Sequence, residues 1–194
     1  MDNILIGMGS LMAGGFAWLL YRNRQSVNVM PVETPAVSSG NISAPTKKRL
    51  TPTEVWGFAN KVVTRHFPRV DRNMLVAMAQ IESSLNPTAK RYEPHINTYS
   101  YGLMQTLLTT ADWLYRDMGA TAYGRPTEKS LKDPETSMYF AAAYVKWLMN
   151  YRGQQRSEEW IVRAYNGGPS WEQRTGSISM TLNHWNKYKK TRYG

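Results

Sequence analysis

The chain has 194 residues, 42% of them hydrophobic, no cysteine and a formal net charge of +10. That length holds one domain with a real core plus appendages, and the absence of cysteine excludes disulfide staples and thiolate chemistry. The excess of positive charge points to a polyanionic partner, whether nucleic acid, anionic lipid or an acidic cell-wall polymer, without choosing among them.

Residues 3–21 carry no charge, and residues 4–20 are mostly apolar, with Trp18 and Tyr21 near the end and Arg22 and Arg24 just beyond. Roughly 20 such residues cross a bilayer, and an aromatic and arginine flank suits its interface. The start Met1-Asp2-Asn3 lacks the basic residues of a signal peptide, so residues 1–21 are expected to be an uncleaved transmembrane helix. A cleaved signal peptide is the second reading. Gly9, Ala13 and Ala17 form a small-residue row that suits self-association of such helices. Basic residues follow the span and none precede it, which by the positive-inside rule leaves the rest of the chain on the cytoplasmic side. Residues 22–50, with Pro31, Pro35 and Pro45 and no period, read as an extended, disordered linker. Its basic run Lys47-Lys48-Arg49 reads as a solvated cluster or a lipid or wall contact.

Residues 51–194 read as the folded domain. Thr51-Pro52-Thr53-Glu54 is a complete capping box with proline at the first helical position. The helix it opens carries Val55, Trp56, Phe58, Ala59, Val62 and Val63 and ends near Phe67-Pro68. A second helix, capped by Asp71 and stopped by Asn86-Pro87, carries Met74, Leu75, Met78, Ile81 and Leu85 at spacings of three and four. A long polar segment over residues 90–101 then meets Gly102-Leu103-Met104-Gln105. Thr109 or Thr110 is expected to cap a helix with Ala111, Trp113, Leu114 and Met118, closed by Gly119. Asp133-Pro134-Glu135 opens a helix with Met138, Tyr139, Ala142, Tyr144, Val145, Leu148 and Met149, closed by Gly153. Ser157 starts a short helix that Asn166-Gly167-Gly168 ends, and a last amphipathic stretch over residues 180–190 holds Leu182, Trp185 and Tyr188. No segment of any length alternates strictly as a half-buried strand does. The expected fold class is mainly α, a helical globule with two glycine-punctuated loops.

Glu82 breaks the pattern of its own helix. It falls in the last turn, among apolar neighbours and near the negative end of the helix dipole, and both settings are expected to favour the protonated form. A protonated carboxyl near neutral pH is what a general acid in glycoside cleavage requires. From this stretch alone, a surface carboxylate or one paired with an arginine is the plainer reading. His66, His95 and His184 are far apart, show no metal-ligand spacing and read as surface or capping residues. Neither metal nor cofactor is expected.

Three pieces stand in order: Glu82-Ser83 at a helix end, Gly102-Leu103-Met104-Gln105, and Ala164-Tyr165-Asn166-Gly167-Gly168. In this order and at these distances they resemble the lytic transglycosylase domain of the soluble (SLT) type, related to goose-type lysozyme. Ser84-Leu85-Asn86-Pro87-Thr88-Ala89 and Leu131-Lys132-Asp133-Pro134 add to the likeness, which covers about residues 52–190. The resemblance implies a lysozyme-like helical domain behind the anchor and linker, with a groove for peptidoglycan glycan strands. It implies that Glu82 is the sole acid and base. Glu82 would protonate the oxygen between N-acetylmuramic acid and N-acetylglucosamine, then take the proton of the muramoyl C6 hydroxyl as that oxygen closes onto C1 in a 1,6-anhydro ring. It further implies that Tyr165 donates towards Glu82 or the sugar, that Met104 and Gln105 line the groove, and that Asn166 and Gly167 let the chain approach the sugar. Ser83 is expected to brace the helix end. Without the resemblance, Met104 and Tyr165 read equally as packing residues; Trp56, Trp113 and Trp160 read as core.

The pattern departs from the common one between Ala89 and Gly102, where Lys90 and Arg91 stand in a longer loop and Ser100 substitutes for an earlier serine, and after Gln105, where Leu107-Leu108 replaces Met-Pro. Hydrolases usually need two carboxylates. Asp112, Asp133, Glu158 and Glu159 read as helix-start residues, and Glu93 is the remaining candidate, with a loop salt bridge as its plainer role. Anionic peptidoglycan suits the basic chain and its tail Lys187, Lys189, Lys190 and Arg192. The alternatives are a lysozyme-type muramidase and a non-catalytic peptidoglycan-binding module; specific nucleic-acid binding lacks a reading helix. The anchor's orientation favours a phage virion protein delivered from outside, with a bacterial envelope or secretion-complex protein as the other setting.

Overall fold

The first element, α1 (Pro52–His66), begins as its capping box dictates: the Thr51 N–H donates to Glu54 Oε2 at 2.7 Å and the Glu54 N–H returns to Thr51 Oγ1 at 3.3 Å. This is a computed structural model, and it describes residues 49–194. The expected anchor (residues 1–21) and linker (residues 22–50, save its last two) lie outside the described residues. Among the described residues, no helix is long and apolar enough to cross a membrane.

Helix α1 buries the stripe Val55, Ala59, Val62 and Val63, and leaves Trp56, a quarter-turn off that stripe, 44% exposed. Trp56 is therefore not core, whereas Trp113 and Trp160 are. Helix α2 (Arg72–Ser83) starts at Asp71, which accepts from the Asn73 and Met74 N–H groups. It ends earlier than Asn86-Pro87: Ser84 and Leu85 both take positive φ, 53° and 60°, and unwind the chain there. Side chains other than glycine pay a steric cost in that region of about 1–2 kcal/mol each. Burial of Leu85 and the Leu50 N–H bond to its carbonyl (2.8 Å) hold the turn.

The polar segment expected as a loop is a three-stranded antiparallel sheet in the order β1 (Lys90–Glu93), β2 (Thr98–Tyr101), β3 (Thr106–Leu107). Its strands are too short and too exposed on β1 to show an apolar alternation. The register Tyr92↔Tyr99 and Arg91↔Ser100 sorts the hairpin into two faces. Lys90, Tyr92, Tyr99 and Tyr101 share one face, and Arg91, Glu93 and Ser100 share the other.

Helix α3 (Leu108–Asp117) starts before Thr109 and Thr110, with Leu107 at its N-cap and no side-chain cap, because strand β3 runs directly into it. Asp112 is accordingly inside the helix, paired with Arg116 and Arg125. After the single turn α4 (Glu128–Leu131), Asp133 caps α5 (Pro134–Met149) through the Thr136 N–H at 2.8 Å. Helix α5 is buried nearly all round, from Met138 through Val145, and is the axis of the core. Ser157 caps α6 (Glu158–Gly167), and α7 (Ser177–Tyr193) closes the fold. Its buried row is Thr181, Trp185 and Tyr188, with Leu182, about a quarter-turn off that row, 41% exposed.

Two arginines dock α7. Near its start the buried Arg163 of α6 lies 3.7 Å from the Trp171 ring centre and donates to Thr181 Oγ1 and to the Ile178 carbonyl. At its end Arg192 pairs with Asp71, the α2 cap, and with Glu158, the first residue of α6. With Arg192 against the start of α2, α7 runs antiparallel to α2, so eight residues earlier on α7, about 12 Å back, His184 comes to the other end of α2.

Candidate active site

That other end carries Glu82. Its position continues the stripe Leu75, Met78 and Leu85, so the carboxylate occupies a place an apolar side chain would normally fill, and its side chain is only 3% exposed. Two basic groups flank it. The Arg91 Nη2 lies 3.7 Å from Oε2, and the His184 Nε2 lies 3.3 Å from Oε1. The second contact is close but out of alignment, because Nε2 is buried and makes no hydrogen bond. His184 is thus a site residue rather than a surface or capping one. The signal was its place on the row Thr181, His184, Trp185, Tyr188, one face of a helix whose other members are buried.

Arg91 reaches Glu82 from the inner face of the hairpin and also donates from Nε to Glu93 Oε1 at 2.8 Å. Glu93 lies within 2.8 Å of the Ser100 hydroxyl as well. The remaining candidate for a second carboxylate is therefore held in a salt bridge and a hydrogen bond. Asp133 caps α5, Glu158 and Glu159 sit in the first turn of α6, and neither role brings them to Glu82.

The Gly102-Leu103-Met104-Gln105 turn packs under the site. A Cβ on Gly102 would stand 1.8 Å from the Leu131 carbonyl oxygen, and its φ is +78°, so only glycine fits on both counts. The Met104 N–H donates to Ser137 Oγ of the central helix at 3.1 Å. Gln105 also takes positive φ (48°), donates from Nε2 to the Gly102 carbonyl at 2.9 Å and lies 3.0 Å from Ser100 Oγ through Oε1. Ser83 Oγ donates to the Leu103 carbonyl at 2.7 Å and accepts from the Asn86 N–H.

Several residues expected to touch substrate are turned inward. Met104 is fully buried and Gln105 is 7% exposed, so in this state neither side chain lines an open groove; the Gln105 amide bonds back to its own turn. Tyr165 donates to the Met104 carbonyl at 2.9 Å rather than to Glu82, and its oxygen is 3.5 Å from Thr106 Oγ1. Burial and, after it, the charge of Glu82 push the Tyr165 hydroxyl far above the usual phenol range. It remains a neutral donor. Ser100 is 1% exposed between Glu93 and Gln105. Asn166 Oδ1 is buried without a partner, and Gly167 packs against Thr181 so closely that a Cβ would come within 2.4 Å of its methyl. Among the described residues, no cluster of three or more His, Asp or Glu is placed to hold a metal ion.

The family described as the transglycosylase SLT domain matches residues 64–188, well over half of the chain and every element from the end of α1 into α7. No curated protein matches the sequence. The mainly helical fold is consistent with the lysozyme-like architecture of that family, and Glu82, the 102–105 turn and Tyr165 all fall inside the matched span. The chain belongs to the transglycosylase SLT family, whose members are generally lytic transglycosylases that cleave the glycan strands of peptidoglycan.

Proposed function

We propose that the protein is a peptidoglycan lytic transglycosylase that cleaves the MurNAc–GlcNAc β-1,4 bond and leaves 1,6-anhydroMurNAc ends, with Glu82 as its single acid and base. The supporting observation is a buried carboxylate at the end of α2 beside the hairpin, with Glu93, the remaining candidate for a second carboxylate, engaged by Arg91 and Ser100. In the first step the Glu82 proton passes to the glycosidic oxygen and the C1–O bond breaks. In the second, the C6 oxygen bonds to C1 while its proton returns to Glu82. No water is consumed, and the acid is regenerated. Ser83, Ser100, Gly102, Met104, Gln105, Tyr165 and Asn166 form the substrate-binding side proposed around it, and Ser83, Gln105 and Tyr165 also hold the 102–105 turn against the helix end.

A hydrolytic reading has one observation on its side. Glu93 is on the same hairpin face as Arg91, which touches both carboxylates. If substrate drew Arg91 away, Glu93 would be freed to activate water. Its bonds to Arg91 and Ser100 favour the first reading.

In the cellular setting proposed, residues 4–21 anchor the enzyme in a lipid bilayer, and the enzyme opens the wall locally as part of a phage virion. A bacterial envelope complex is the alternative setting.

The test is digestion of purified sacculi by the full chain in detergent, with mass analysis of the sugar ends, beside folded Glu82→Gln. Anhydromuramoyl ends that disappear in the variant carry the proposal. Reducing ends make the protein a muramidase and bring Glu93 forward. Binding without products, from folded protein, makes it a non-catalytic wall-binding module.

A further inference from the structure

His184 belongs to none of the three motif segments, yet its ring is only 11% exposed and its Nε2 is 3.3 Å from Glu82 Oε1. That nitrogen is buried and has no hydrogen bond. A buried polar atom without a partner is disfavoured unless some state of the molecule satisfies it, and the carboxyl oxygen 3.3 Å away is within reach of a ring whose last torsion is soft.

We propose that Glu82 and His184 form a proton-sharing pair, in which the imidazole is a positioning residue that orients the catalytic carboxyl and holds a proton in reserve for it. The proposal rests on Glu82 being the acid and base of the reaction. Imidazolium beside carboxylate and imidazole beside carboxylic acid contain the same single proton. It passes between Nε2 and Oε1 with nothing gained or lost. The second form is the one able to protonate the glycosidic oxygen. Once it has done so the pair is empty, and the C6 hydroxyl refills it.

The groups facing the pair leave this exchange to the two residues. From β1, Arg91 stands 3.7 Å from the other carboxyl oxygen, and Glu93, 2.8 Å from Arg91 Nε, offsets its charge. From α6, Tyr165 stays neutral and bonded to Met104, while Arg163 is committed to Glu159 and Thr181. The titratable members of α2 besides Glu82 are Asp71 at its cap and Arg72, both at the opposite end of the helix. On α7 itself, Lys187 is exposed and Tyr188 is bonded to Glu158; Glu172 and Arg174, on the turn before α7, are exposed.

The experiment has two independent arms on the full chain in detergent. In the first, proton NMR seeks a slowly exchanging ring N–H resonance, assigned to His184 by its loss in His184→Gln. It is expected in the wild type, lost in Glu82→Leu, and exchanging at least roughly tenfold faster in Glu82→Gln, where the acceptor is no longer charged. Its absence from the wild type, or its persistence unchanged in both Glu82 variants, overturns the pair whatever the activity. In the second, kcat/KM on soluble glycan strands is followed against pH. Two groups that share a proton titrate as one pair, so His184→Gln is expected to displace the alkaline limb. An unmoved limb with a uniformly lower rate means that His184 only packs against the site. A wild-type chain inactive at every pH sinks the reading of Glu82 as a catalyst, and the N–H resonance then decides the pair alone.

Discussion

Ser83 fastens the end of α2 to the 102–105 turn by donating its hydroxyl to the Leu103 carbonyl at 2.7 Å, and Leu103 itself is fully buried. The residue directly after Glu82 is thus tied to the turn that carries Met104 and Gln105. Removing the hydroxyl leaves a buried carbonyl unpaired, which costs about 1–3 kcal/mol. Ser83→Ala is expected to lower the melting temperature accordingly and to reduce kcat more than it raises KM, because Glu82 loses its alignment before the groove loses its shape. Thermal melts with initial-rate kinetics check this; unchanged stability would mean that water replaces the hydroxyl.

Gly102 admits no side chain. Gly102→Ala meets the Leu131 carbonyl oxygen at 1.8 Å and must hold a φ of +78°. The combined steric and backbone penalties amount to about 3 kcal/mol or more. The expected result is poor soluble yield or a denaturant midpoint far below wild type. Gly57, on exposed α1 with nothing within 4 Å of an added Cβ, is the control, and Gly57→Ala is expected to stabilise slightly.

Asp71 ties acid stability to the docking of α7. Burial raises its carboxyl, but the hydrogen bonds from Arg192 and from the Met74 and Asn73 amides outweigh that and hold it below its ordinary 3.8. A depressed folded value means that the stabilisation is present above the unfolded value near 3.8 and is lost as pH falls through the folded one. Asp71→Asn keeps a capping side chain and removes the charge. It is expected to flatten the loss of stability below about pH 4, with a small effect at neutral pH because the carboxylate is 45% exposed. Urea melts across the acid range measure the difference.

Tyr165 is expected to act at the opposite extreme. Its hydroxyl is pushed above the usual phenol value first by burial and then by Glu82. A raised folded value means that its contribution is complete below an unfolded value of 10.0 and is lost as pH rises past it. Tyr165→Phe leaves the buried Met104 carbonyl without this donor, costing about 1–3 kcal/mol at neutral pH, and is expected to flatten alkaline unfolding above about pH 10. A phenylalanine variant with wild-type stability and activity would show that the bond to Met104 contributes nothing.

The parts of this protein legible in its sequence are those decided within four residues along the chain. Thr51 with Glu54, Asp71, Asp133 and Ser157 each cap a helix by bonding to amides two or three positions on, so residue type and spacing suffice to place them. The Glu82 carboxyl stood out for a similar reason, as a charge on an apolar stripe near a helix end. The short sheet escaped notice because its β1 residues are mostly exposed and its strands run only two to four residues, too few to reveal a period.

What surrounds Glu82 was decided by the tertiary structure. Arg91 faces it because the register Arg91↔Ser100 assigns that side chain to the inner face of the hairpin, and a slip of one residue would have presented Lys90 instead. His184 faces it because Arg163 and Arg192 fix the two ends of α7 and Arg192 sets it antiparallel to α2. Met104 and Tyr165 carried the sequence signal of a groove, yet the fold buries the methionine, ties its N–H to Ser137 of α5 and gives the tyrosine its carbonyl to bond. Local chemistry chose the carboxyl group; the packing of distant segments chose its neighbours, because a contact between side chains far apart in the chain depends on the angle and register of whole elements.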